Sequence, residues 1–282
     1  MRLRTLALLA TAPIMVAACS SSSSSSTTTA AAGGAGAGSI AAPAAIKSAG
    51  KIVWCSDISY PPEEYYDGTT PKGSDIDTGN EIAKRLGVSA EFVNTGFDGI
   101  IPALVGKKCD AIISGMNDTE ERAKQVDFVD YMSVGQSFMV QKGNPAGINT
   151  LDDVAGKTVS VEVGTSNADF LTAKSDEFTK AGKKAINIQV FPKDTDAANA
   201  LRTGKVDAYF GDAPVVAYYV KTASDAFAFG GTAINPIPVG IAIRKGDELK
   251  AAVQAAIDAM YADGTMKTIL GNWEMSTSLM QK

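Results

Sequence analysis

Residues 109–131 read CDAIISGMNDTEERAKQVDFVDY. A short apolar run at 111–114 stops at Gly115, and a polar, charge-rich stretch that reads as a helix follows it. A strand that ends on glycine and gives way to a helix is a building block of α/β proteins. The same alternation recurs toward the N-terminus. Residues 98–105 read as a short helix, with Ile100, Ile101, Leu104 and Val105 on one side. Pro102 falls in its first turn, where proline is tolerated. Residues 90–93 read as a strand, 77–86 as a helix stopped by Gly87, and 52–56 as a strand. The order β-α-β-α-β predicts a mainly parallel sheet covered on both faces.

Toward the C-terminus the order repeats in outline. A strand at 158–163 leads to the turn Gly164-Thr165-Ser166 and a helix that begins at 167–173. A strand at 186–191, a helix at 196–203, a strand at 206–210 and a helix at 215–222 follow. The tail at 247–260 places Leu249, Val253, Ile257 and Met260 on one helix face. Two such units in one chain predict two α/β lobes. Ligands of open α/β sheets bind beyond the carboxyl ends of the strands. Asp57, Gly115, Gly164, Gly211 and Asp212 stand at such ends.

Composition narrows the chemistry. The 282 residues carry a formal charge of −5, three cysteines and no histidine. Without histidine there is no Ser-His-Asp triad, no Cys-His pair and no histidine-rich zinc site. Three cysteines cannot form a four-thiolate metal site. A pI near 4.9 speaks against nucleic acid, whose binders need a basic footprint.

Residues 1–18 read as a secretory signal, with Arg2 and Arg4 ahead of an apolar stretch too short to span a bilayer. Val16-Ala17-Ala18-Cys19 resembles a lipobox, which would make Cys19 the lipidated first residue. A plain signal cut after Ala18 is the alternative. The Ser, Thr, Ala and Gly run that fills 19–45 has no reason to fold and favours the lipobox. At 20–45 it would reach roughly 25–30 Å root-mean-square, enough to hold a domain off a membrane. Removing the leader takes two cations and no acid, so the working domain is more acidic than the full chain.

Seven stretches resemble, in order, the polar amino-acid family of extracytoplasmic solute-binding proteins of ABC importers. They are SDISYPPEEYY at 56–66, GSDIDTGNEIAKRLGV at 73–88, FDGIIPAL at 97–104 and the opening stretch at 109–131. GKTVSVEVGT at 156–165, GKVDAYFGDAPVVAYY at 204–219 and DGTMKTILGNW at 263–273 complete the set. The resemblance implies a type II periplasmic-binding-protein-like fold, with one lobe from 46–133 and 239–282 and the other from 134–238. It places two hinge crossings near 131–136 and 235–239. It implies a polar amino acid as ligand, an ABC permease as partner, a monomer and no cofactor. An enzyme on the same scaffold, a cyclohexadienyl or arogenate dehydratase, is the alternative.

A free amino acid needs a fixed cation, a fixed anion and a wall for its side chain. Arg122 suits the carboxylate, with Gly115, Asn117 and Ser166 around it and backbone amides at the helix starts as further donors. Without the resemblance, Arg122 reads as a solvated helix charge. Asp212 suits the ammonium, or caps the helix after it. Tyr60 and Phe97 resemble the family's aromatic walls, with core packing as their plain reading. Asp57 resembles the aspartate near the ligand side chain. Glu63 stands where an aromatic is common, Asn117 where a hydroxyl is usual, and Glu162 at a variable position. Asp57, Glu63 and Glu162 together could form an acidic subsite for a Lys or Arg side chain, although Glu63 and Glu64 also read as solvated.

Two further expectations concern chemistry outside that site. If Ser56 and Ser114 lie level, Cys109 falls about four residues below Cys55, about 13 Å at roughly 3.3 Å per residue. That exceeds disulfide reach and predicts two free, buried thiols. Asp75 and Asp77 read as helix-capping residues rather than metal ligands, and no metal is expected.

Overall fold

A computed structural model describes residues 40–278 and 280. The expected signal at 1–18, Cys19 and the run to 39 lie outside the described residues. The described residues form one compact unit.

Helix α1 (Ala44–Ala49) leads into β1 (Lys51–Ser56). A small antiparallel sheet of β2 (Ser59–Tyr60), β3 (Glu64–Asp67) and β4 (Thr70–Lys72) follows. Helix α2 (Ser74–Arg85) buries Ile76, Ile82 and Ala83. Its Gly79 sits where a Cβ would come within 3.0 Å of the Phe92 ring and 3.2 Å of the Trp54 indole nitrogen, so a side chain there would push the helix off the sheet. Then come β5 (Ser89–Asn94), α3 (Ile100–Val105), β6 (Ala111–Ile112) and the one-turn α4 (Glu120–Ala123).

The long β7 (Val126–Gln141) opens a second half: β8 (Thr158–Glu162), α5 (Ser166–Lys180), β9 (Asn187–Phe191), α6 (Asp194–Arg202), β10 (Ala208–Asp212) and α7 (Ala213–Thr222). The chain returns through β11 (Phe227–Phe229) and β12 (Ile234–Arg244) to α8 (Leu249–Ala262) and α9 (Thr265–Asn272).

The large sheet runs β5-β1-β6-β12-β7-β10-β8-β9, with β11 paired to β7. Strands β5, β1 and β6 are mutually parallel, as are β10, β8 and β9. Between these groups β12 and β7 run antiparallel, with Ile237 level with Val134 and Val239 with Met132. The two expected crossing segments are therefore side by side.

Each end has its own core. At the β1 end, Ile52, Trp54, Ile82, Ile241, Val253, Ile257 and Leu270 interlock under α2, α8 and α9. At the β8 end, Val159, Val161, Leu171 and Phe210 pack under α5, while Leu201, Tyr209 and Val215 pack under α6 and α7. An aromatic contact spans the two ends away from the strand termini. The ring of Tyr65 lies 5.7 Å from that of Tyr218 on α7 and 6.0 Å from that of Trp273 after α9. Lys221 pairs with Glu274 beside it.

Two expectations fail here. Cys55 and Cys109 are joined in a disulfide, with Cα atoms 5.7 Å apart. The distance argument assumed an extended chain up to Ser114, but the strand covers only 111–112. Cys109 lies in the turn ahead of it, which folds back on β1: Asp110 donates from its N–H to Val53 O and accepts from Val53 N–H at Oδ2. Capping does not explain the α2 aspartates either. The residue ahead of the helix is Gly73, and no side chain caps it. Asp75 instead accepts from Gly115 N–H and Tyr131 O–H, and Asp77 from the Trp273 indole.

Candidate functional site

The strand ends of both halves converge on a small, tightly closed cavity. All nine residues singled out from sequence, Asp57, Tyr60, Phe97, Gly115, Asn117, Arg122, Glu162, Ser166 and Asp212, line it. Glu64, Ser114, Thr165 and Asn167 line it too. Glu63 does not line it but is fully buried behind it, as Glu64 is within it, so neither is solvated.

One wall is built by the turn from β6 into α4. Thr119 caps α4 by accepting from the Arg122 N–H, which aims Arg122 back toward the strand end. The guanidinium is buried rather than solvated. It donates to Asn117 O at 2.9 Å and Gly164 O at 3.1 Å, and lies over the Phe97 ring at 5.2 Å. Burial lowers its pKa, though no accessible pH removes its charge. Asn117 accepts from Ser166 Oγ, at the start of α5, while its own amide nitrogen is buried without a partner.

The opposite wall is acidic. Asp57, just past β1, accepts from Ser59 Oγ at 2.7 Å and Phe97 N–H at 2.8 Å. Glu64 accepts from Ser114 Oγ, and its second oxygen has no donor. Glu162 ends β8 with one oxygen unpartnered. Asp212 occupies the position before α7, but its side chain makes no cap. It accepts instead from Asn167 Nδ2 at 3.2 Å, and its N–H donates to the Tyr60 hydroxyl. Asn167 in turn accepts from Gln136, and Gln136 from Asn235, so the paired crossing strands reach the cavity through one hydrogen-bonded chain.

Loss of hydration raises the pKa of all four acids. Asp212 is pushed to about 6 despite the bonds from Asn167 and Tyr60 and the charge of Arg122. Glu162 is held well above the carboxylate range by burial and by the neighbouring Asp194 and Asp57. Burial raises Asp57 more than its hydrogen bonds lower it, and Glu64 stands well above its ordinary value. Asp75 and Asp194, just behind the wall, are pushed to about 6 and about 7. Among the lining residues Arg122 is the cation that faces these acids.

Gly115 separates the two walls. Its φ is +46°, a left-handed conformation that favours glycine, and a Cβ there would meet the Tyr60 ring at 3.1 Å. Glu64, Ser114 and Thr165 escaped the site expectations drawn from sequence, and Asn167 entered them only through its backbone amide. A paired Glu-Glu after Pro-Pro in an otherwise apolar stretch was the available signal for Glu64. Among the described residues no group of His, Cys, Asp or Glu is arranged to hold a metal.

Comparison with known proteins adds the context of relatives. The model of the bacterial extracellular solute-binding proteins, family 3, matches residues 52–276. An L-cystine-binding protein of Escherichia coli is 31% identical over 231 residues, covering 81% of this chain and 84% of its own. An ancestral arginine-binding protein solved with arginine is 38% identical with a TM-score of 0.73, over 79% of this chain and 98% of that one. The ancestral amino acid-binding protein AncCDT-1, a precursor of cyclohexadienyl dehydratase, is 35% identical with a TM-score of 0.73, over 81% of this chain and 97% of its own. These neighbours share the type II periplasmic-binding-protein architecture of two α/β halves.

Proposed function

The chain belongs to the bacterial extracellular solute-binding proteins of family 3, and from that premise we propose that it captures a cationic amino acid and delivers it to an ABC importer. One observation carries the choice of ligand. The cavity opposes an unpartnered donor, the Asn117 amide beside Arg122, to unpartnered acceptors on Glu64 and Glu162. A buried polar group without a partner costs about 1–3 kcal/mol. A ligand with a carboxylate at one end and positive charge elsewhere satisfies both sets at once.

In this reading Arg122, the Asn117 amide and the N–H groups at the start of α5 hold the carboxylate. Asp212 holds the α-ammonium. Tyr60 and Phe97 flank the aliphatic stem, and Asp57 and Glu162 receive the distal cation. The lobes are 46–133 with 239–282 and 134–238, hinged where β7 and β12 pair. Closure follows because Arg122 and Asp212 lie on different lobes, so a ligand with both charges binds the closed state more tightly than the open one. The relatives reported above are described as binding proteins, the dehydratase precursor among them, which supports capture over the dehydratase alternative. Lipidation of Cys19 would tether a monomer outside the cytoplasm, within reach of its permease.

Calorimetric titration against the common amino acids tests the ligand. Arginine or lysine should bind at micromolar affinity or better, about −8 kcal/mol. Tighter binding of glutamine or glutamate would overturn the assignment.

A further inference from the structure

Glu63 is buried without exposed surface, and neither carboxylate oxygen meets a hydrogen-bond donor on another residue. Its Cγ lies 3.9 Å from the point a Cβ of Gly115 would occupy, and Gly115 lines the cavity. The carboxyl therefore stands one glycine behind the cavity wall. The Tyr60 ring, 3.1 Å from the same point, shares that space with it.

The titratable groups that face Glu63 come from five elements. They are the Tyr60 hydroxyl at the end of β2, Asp75 on α2, Asp212 at the end of β10, Asp194 on α6 and, beside it in sequence, Glu64 on β3. Tyr131 of β7 also feels its charge. No cation is among the groups that act on it. Like charges packed this closely cannot all ionise, and burial favours the neutral form further. An arriving ammonium reverses that balance for the carboxyl nearest to it.

We propose that Glu63 is a positioning residue for the ligand's ammonium: it holds a proton while the cavity is empty and releases it to solvent as the ammonium enters, so capture exchanges a proton for a cation. The proton leaves to water, the carboxylate stays behind Gly115, and Asp212 and Glu63 then flank one positive charge from two sides. Affinity consequently rises with pH. Each proton released on binding steepens the rise, by up to about tenfold per pH unit. The idea rests on the site binding an amino acid.

Titration of the full chain with L-arginine tests it, in two buffers of different ionisation heat at pH 6.5 and by affinity at pH 5.5 and 7.5. The wild-type protein should release a measurable fraction of a proton and gain about tenfold in affinity over that interval. Glu63→Gln keeps the shape and removes the exchangeable proton. It should release measurably less proton than wild type, the remainder coming from the raised acids that line the cavity, and its affinity should rise less steeply with pH. Glu63→Leu removes the group altogether and should show the same flattening. Both variants should melt no lower than wild type at pH 8, because each removes a buried carboxyl with no donor. Equal proton release in wild type and both variants would overturn the role of Glu63 while leaving the ligand site intact. A wild-type protein that binds no amino acid would overturn the ligand reading and this exchange together. Variants that fail to fold would show Glu63 to be structural and refute the proposal.

Discussion

The turn from β6 into α4 and the strand ends of β8 and β10 face the same cavity with opposite chemistry. On the first side Arg122 is held by two neutral carbonyls and an aromatic face. On the second, the Asp212 carboxylate is held by a side-chain amide, and Glu162 keeps one carboxylate oxygen without a partner. Among the described residues, no ion pair involves Arg122 or any acid that lines the cavity, and the ion pairs stand elsewhere, as with Lys51–Glu91 and Lys245–Asp127. Each charge is thus oriented by groups that do not cancel it. Both halves of the recognition stay uncancelled by protein charges, so little reorganisation is needed when a ligand arrives.

The most direct way to break this comparison is to remove the cation. Arg122→Ala should weaken amino-acid binding about 30-fold or more, since truncating one partner of a buried charge pair costs about 2–5 kcal/mol. Affinity within tenfold of wild type by calorimetry would move the carboxylate site elsewhere. The disulfide asks whether the walls are stapled or merely packed, because Cys55 precedes Asp57 and Cys109 precedes the turn that carries Asn117. It closes a loop with a sequence separation of 54. Replacing both cysteines by alanine should cost about 2–4 kcal/mol in denaturant unfolding while ligand affinity stays within about threefold. A larger loss of affinity would show the staple to set the site's geometry.

On the acidic side, Asp212→Asn keeps the shape and drops the charge. About 10–100-fold weaker binding is expected, the range for a hydrogen bond to a charged group at about 1.5–3 kcal/mol. An unchanged dissociation constant would remove Asp212 from ammonium recognition. The smallest effect is on the ligand-free protein. Asp75, Asp194 and Asp212 have folded pKa values raised to about 6, 7 and 6, so the folded state binds more protons than the unfolded one between pH 7 and about 4. Their contribution is fully present below the unfolded value and is lost as pH rises through 6 to 7. The melting temperature without ligand should therefore climb by a few degrees from pH 8 to pH 5.5, and a fall over that range would contradict the buried-acid picture.

Much of this was legible in residue spacing, and the exceptions share a cause. The alternation of strand and helix from β1 to α3 and from β8 to α7 follows from apolar runs punctuated by glycine, and boundaries differ mainly by a residue or two, except in α5, which extends to Lys180. Strands β7 and β12 were foreseen only as crossing segments. Along β7 the buried positions show no strict alternation, because the strand passes through both packed ends of the sheet. The β2-β3-β4 sheet is built from pieces of two to four residues, too short for any period. Asn167 and Ser114 reach the cavity by tertiary neighbours, Asp212 in one case and Glu64 in the other, that no local pattern announces. The cysteine pair was missed for the opposite reason, since a local rule for extended chain was applied where the backbone turns.

The contact of Tyr65, Tyr218 and Trp273 has a practical meaning. The chain holds two tryptophans. Trp54 has no exposed surface in the core beneath α2, and its surroundings would stay fixed in the proposed swing of the lobes. Trp273 donates to Asp77, while the ring of its neighbour Tyr65 reaches across to Tyr218 on α7. Opening would part Tyr218 from that group and wet the indole. The protein thus carries its own fluorophore at the seam, and the emission of a single residue would report capture and release without any label.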